Sequence, residues 1–285
     1  MANTDPLVIS PLSSSDIDEA QALVAETGWN QTPADWRIFL ELGRALGARA
    51  RDGALVGTAA TLPYAGSFGW ISMLLVAKAW RRRGIGTRLL NRCVETLREL
   101  PSIPMLDATP AGREVYRRLG FRDLWPFTRW RRRAAVDSGT GPTNVRLLED
   151  RDSDQVITLD SETFGSSRDK LLQHLRDRSR EFACAAETNG QLRGFLLGRD
   201  GRTATHFGPI VAENEPTAAA LVDFASRRAS APVILDVPDQ HDGFGQWLAN
   251  HGFVRERPLM RMILSSDHSF GDPRRMIAIA GPELG

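Results

Sequence analysis

The spacing of apolar positions divides the first 133 residues into ten elements. Val8 opens a strand over 8–12. Behind Ser15-Asp16, the residues Ile17, Ala20, Leu23 and Val24 recur at helical spacing, which predicts a capped helix running to Thr27. Thr32 as cap and Pro33 in the first turn start a second helix. Segments 46–51 and 54–64 flank Asp52-Gly53 and read as a hairpin. Ala65-Gly66-Ser67 turns into a strand that holds Trp70 to Val76. Next, Leu89, Leu90, Cys93, Val94 and Leu97 form one face of a helix whose other face carries Arg88, Asn91, Arg92, Glu95 and Arg98. A strand over 105–108, a helix over 113–119 and a strand around 127–133 complete the series.

The pattern then starts again. A strand-and-helix segment opens at Val8 and closes at Gly28, and another opens at Val145 and closes at Gly165, each spanning twenty residues. Leu106-Asp107 precedes Gly120-Phe121 and Arg129-Trp130, as Leu235-Asp236 precedes Gly252-Phe253 and Arg261-Met262, with nine residues from Gly to Arg each time. Two copies of one fold explain this economically. The small and polar stretch 134–143 joins them, giving domains 1–135 and 145–285 with a linker at 136–144. After the second copy comes an apolar tail, Met276, Ile277, Ala278, Ile279 and Ala280, expected to dock as a strand or to bury between domains.

Between the strand ending in Leu74, Leu75 and Val76 and the amphipathic helix lies the run Arg81, Arg82, Arg83, Gly84, Ile85, Gly86 and Thr87. A glycine turn before a helix exposes the first-turn N–H groups and the positive end of the helix dipole, and the arginines add charge. This reads as a seat for pyrophosphate. It lacks the spacing of a dinucleotide fingerprint or of a nucleotide P-loop. A bare patch of arginines on the surface is the blander alternative, which the position between strand and helix disfavours.

Arg81-x-x-Gly84-x-Gly86, followed by Tyr116 five residues before the Phe of Gly120-Phe121, resembles the GNAT superfamily of acyl-CoA-dependent N-acyltransferases over roughly residues 5–133. The resemblance implies a mixed α/β (α+β) fold and two tandem domains. It implies that acetyl-CoA is held by Arg81 to Thr87 in sequence, by the backbone of a bulged Leu74, Leu75 and Val76, and by Thr109, which stands where many relatives have an Asn. It implies that Tyr116 protonates the departing thiolate. Asp107, at the end of a strand, is a candidate base directly or through water; its repetition as Asp236 equally suits a turn cap. In the second copy Glu213 and Glu215 stand near the helix start, where they would repel a pyrophosphate, and Leu248 replaces the tyrosine. That copy reads as degenerate.

Composition narrows the remaining choices. The 285 residues have a net charge of +1, so no global field draws the chain to nucleic acid or membrane, and no apolar run approaches the ~18 residues needed to span a bilayer. Cytoplasmic residence is expected, with no metal. Cys93 and Cys184 read as small core residues, and none of the five histidines has metal-pair spacing, so each is expected at the surface or in a turn, with His206 a candidate for a cleft. Trp29, Asn30, Trp36 and Tyr64 are candidates for the acceptor cleft, although paired tryptophans can equally pack two helices together. The reading is an N-acetyltransferase acting on the primary amine of a small molecule by direct attack in a ternary complex, as a monomer or homodimer. The alternative is a CoA-responsive binding protein with little turnover.

Overall fold

The structure, a computed structural model, describes residues 7–65, 68–135, 141–230, 232–266 and 270–285. The turn at Gly66-Ser67 and residues 136–140 of the expected linker lie outside the described residues. The first series of elements is β1 (Val8–Pro11), α1 (Ile17–Thr27), α2 (Pro33–Leu42), β2 (Arg44–Arg49), β3 (Leu55–Tyr64), β4 (Phe68–Val76), α3 (Ile85–Arg98), β5 (Ile103–Ala108), α4 (Pro110–Arg118) and β6 (Phe121–Arg132). The second is β7 (Val145–Leu147), α5 (Ser153–Phe164), α6 (Asp169–Arg178), β8 (Cys184–Thr188), β9 (Gln191–Arg199), β10 (Thr205–Ala212), α7 (Glu215–Ser226), β11 (Val233–Pro238), α8 (Asp242–Asn250) and β12 (Val254–Leu264). Both follow one order of strands and helices, as the repeat requires. A last strand, β13 (Met276–Ala278), follows.

Local chemistry sets the element ends. Thr32 and Asp35 form a capping box with Pro33 in the first turn of α2, so the helix starts where its cap predicts. Ser13 and Asp16 form another box, but it closes a single 3₁₀ turn before α1 begins at Ile17. Both cysteines are buried and free, and burial pushes the Cys93 thiol up to about 12, as suits a core residue.

Contacts divide the chain between Leu106 and Asp107, inside β5. In the first unit β1, β2, β3 and β4 pair antiparallel in sequence order, and β4 pairs β5 in parallel. In the second unit β6 lies between β11 and β12, antiparallel to both. This pairing groups the last strand of the first repeat with the second repeat, so the contact boundary differs from the repeat boundary. Beyond β11 the order continues through β10, β9, β8 and β7. The tail docks as a strand: β13 pairs antiparallel with β10, and Ile277 and Ala278 join the core formed by β10, α7 and β11.

Candidate active site

In the first unit the strand β4 carries a bulge. Ser72 stands opposite Ala60 and Leu75 opposite Thr58, so Met73 and Leu74 together face Ala59. Met73 takes φ 51°, and its carbonyl accepts a hydrogen bond from Thr58 Oγ1 at 2.9 Å inside the sheet. The bulge falls on Met73 and Leu74, so of the expected Leu74, Leu75 and Val76 only Leu74 belongs to it. Pairing with β5 covers only Phe68 to Trp70, so past Trp70 the edge of β4 that faced β5 has no strand partner among the described residues. Leu75 and Val76 keep their pairing with β3, opposite Thr58 and Gly57. An open edge of this kind offers backbone N–H and C=O groups to an extended ligand.

The glycine turn follows at once. Gly84 is the N-cap of α3 with φ 76°, and no side chain caps the helix, so the first-turn N–H groups of Ile85, Gly86 and Thr87 keep their capacity to bind an anion. Gly86 is half-buried, and a Cβ there would lie 3.8 Å from a Val76 methyl. Arg81 Nε donates to the Val76 carbonyl at 3.1 Å, so the end of β4 and the turn are tied together. Arg82, with φ 62°, is exposed, and Arg83 stacks on Trp80 at 4.7 Å. The carboxylate of Glu26, at the end of α1, accepts from the backbone N–H of Lys78 at 3.2 Å and anchors the approach to the turn.

Three further candidates of the first repeat, Asp107, Thr109 and Tyr116, stand in the second unit. Thr109 caps α4, its Oγ1 accepting from Gly112 N at 3.2 Å. Tyr116 is partly buried against Phe121, with ring centroids 6.0 Å apart, and its hydroxyl has no hydrogen-bond partner among the described residues. Burial pushes that hydroxyl up to about 12, so it stays protonated at neutral pH. Asp107 is enclosed, and both its oxygens accept from Arg261 at 3.0 Å, while that guanidinium stacks on Trp125 at 4.3 Å. Burial raises its carboxyl to about 6 against the pull of Arg261. A carboxylate forked onto a buried arginine is a poor match for a base that must meet an amine.

The acceptor candidates are more deeply set than their residue types suggest. Trp36 is 1% exposed and packs edge-on against Phe39, and Tyr64 is buried against Phe68. Asn30 is buried and Trp29 half-buried. Sequence reasoning passed over Gln31 and Ser72. Gln31 Oε1, Ser72 Oγ and Trp36 Nε1 are all buried without hydrogen-bond partners among the described residues. Gln31 precedes the α2 cap and Trp36 is four positions beyond it, the spacing at which residues pack across a helix start. An apolar environment alone does not satisfy these groups.

Among the described residues the corresponding positions of the second repeat differ. Asn214 caps α7 and accepts from Thr217 N at 2.9 Å, using the N–H that α3 leaves open. Pro216 stands second in α7, behind Glu215. Leu248, in place of the tyrosine, is fully buried. Two of the histidines expected at the surface or in a turn are buried. His241 is buried, and so is His206, whose Nε2 lies 3.1 Å from Asp236 while burial and Arg199 lower its pKa. His268 lies outside the described residues. Among the described residues no cluster of His, Cys, Asp and Glu could hold a metal, and no helix is long and apolar enough to cross a membrane.

Residues 16–121 match the acetyltransferase (GNAT) family, and residues 156–277 match an acetyltransferase (GNAT) domain. The chain therefore carries two GNAT domains in tandem and belongs to the GNAT acetyltransferases. It is similar to the uncharacterized N-acetyltransferase YitH of Bacillus subtilis (strain 168), at 25% identity over 237 residues that cover 82% of this chain and 83% of that one. Its fold is similar to a Pyrococcus horikoshii protein described as an acetyltransferase, at 22% identity and TM-score 0.79 over 98% of this chain and 96% of that one. It is also similar to a tandem GNAT protein from the clavulanic acid biosynthesis pathway, solved without acetyl-CoA, at 16% identity and TM-score 0.62 over 93% and 100% of the two chains.

Proposed function

We propose that the first repeat is an N-acetyltransferase that moves an acetyl group from acetyl-CoA to the primary amine of a small molecule, by direct attack in a ternary complex. The observation that carries this reading is the junction at Val76. There the open edge of β4 runs into an uncapped helix start, with Arg81 bonded to the Val76 carbonyl and Gly86 facing its side chain. One side of the junction suits an extended amide chain and the other suits a pyrophosphate.

Acetyl-CoA supplies a thioester carbonyl. The amine attacks this carbon with its free lone pair, the C–S bond breaks, and Tyr116 Oη gives its proton to the thiolate. The proton left on the new amide nitrogen passes to water, and water returns one to the Tyr116 oxygen, which restores the acid. Asp107 acts here as a positioning residue that fixes the start of α4 through Arg261. The partnerless Gln31 Oε1 and Trp36 Nε1 favour an amine bearing both a donor and an acceptor.

A screen of small primary amines with acetyl-CoA, reading free thiol release, tests the proposal. At least one amine is expected to raise thiol release well above hydrolysis. If the chain binds acetyl-CoA and no amine does so, the protein is a CoA-responsive binder instead.

A further inference from the structure

The two repeats treat one edge of their sheets differently. β10 corresponds to β4 in element order and carries the same bulge, since Phe207 pairs with Gly198 and Ile210 with Leu196, leaving two residues opposite Leu197. Like β4, it soon leaves its parallel neighbour, pairing with β11 only at Thr205 and His206. Beyond that point the edge is covered. Ile210 pairs with Ala278 and Val211 with Met276, Ala212 N donates to the Arg275 carbonyl at 3.1 Å, and Ile279 N donates across to the Asp236 carbonyl of β11 at 3.0 Å.

Side chains complete the hold on the tail. Met276, Ile277, Ala278, Ile279 and Ala280 are each at most 3% exposed, so both faces of this strand are enclosed and no charge is tolerated along it. His241 Nε2 donates to the Met276 carbonyl at 3.0 Å, and Arg199 Nη1 donates to the Ala280 carbonyl at 2.6 Å. Arg199 also bonds the Glu283 carboxylate. Gly281, with φ 115°, leaves no room for a side chain: a Cβ would lie 2.7 Å from Arg199 Nη2 and 2.8 Å from His206 Cε1. Across the groove, a Cβ on Gly208 would lie 2.0 Å from the Ile279 carbonyl oxygen.

We propose that the second repeat is a peptide-binding module whose groove, between β10 and β11, takes an extended segment of five uncharged residues followed by a glycine and, two positions later, a carboxylate. In this chain the groove is filled in cis by residues 276–283. Backbone pairing supplies affinity, and the enclosed apolar positions, Gly281 and the Arg199 contact to Glu283 supply specificity.

The full chain is tested with a specific protease site inserted after Ser266 and cut once folded. The 267–285 fragment is expected to co-elute with the body at micromolar concentration. Cleavage in a tenfold excess of labelled synthetic peptide 272–285 is expected to load label onto the body. The Gly281→Ala peptide is expected to load at least tenfold less, and a scrambled peptide not at all. Hydrogen exchange of the uncut chain gives a second measure: Gly208→Ala is expected to speed exchange at 276–280 at least tenfold and leave β1 to β3 unchanged. A fragment that elutes apart, a scrambled peptide that loads equally, or unchanged exchange at 276–280 overturns the proposal.

Discussion

Tyr116→Phe is expected to leave acetyl-CoA affinity nearly unchanged and to lower turnover of a screened amine by roughly 10²–10⁴-fold, the range for loss of a positioned acid. The phenyl ring keeps the packing against Phe121, so the fold should not suffer. What disappears is one proton, held on a hydroxyl that burial keeps protonated far above neutral pH and that no described residue ties up. Steady-state kinetics with a parallel calorimetric titration of acetyl-CoA separate the two effects. Unaltered turnover would mean that the tyrosine only packs and that the thiolate takes its proton from water.

Asp236→Ala is expected to cost about 3–5 kcal/mol of stability, the range for stranding one partner of a buried ion pair. Asp236 stands directly across the β6–β11 pairing from Arg129 and binds it with both oxygens, at 2.8 and 2.7 Å. Both side chains are almost completely enclosed. Burial alone would push the Asp236 carboxyl up, yet Arg129 and His206 hold it well below the usual carboxylate range. Removing it leaves a guanidinium without its counter-charge. Asp236→Leu combined with Arg129→Met should recover much of the loss, since the damage comes from the stranded charge and not from the missing attraction. Urea denaturation measures both variants, and a loss under about 1 kcal/mol for the single change would contradict this account.

The same arrangement marks what a sequence can and cannot carry. Asp107 and Asp236 were visible as a repeated feature, and so were Arg129 and Arg261, each nine residues past the glycine of a Gly-Phe pair. That each aspartate binds the arginine of the other repeat was not visible, because the partners are 154 and 107 residues apart and meet only through strand pairing in the second unit. The element order was legible because each element has its own period and its own punctuation, such as the Thr32 and Pro33 start of α2. The glycine turn was legible because its chemistry is local. Burial of polar side chains was not: His206 and Trp36 read like surface or cleft residues until the sheet and helices close around them. The tail was legible as apolar, but its place on β10 depends on an opening that only the bulged strand creates.

In the proposed function one repeat binds the acyl donor, whereas β13 fills the corresponding opening of the other. Calorimetric titration of the full chain with acetyl-CoA tests it most directly. One site per chain is expected, with no binding to Gly86→Glu, where added bulk and negative charge meet the phosphate seat at the start of α3. Two equivalent sites, or a site that survives Gly86→Glu, would contradict it.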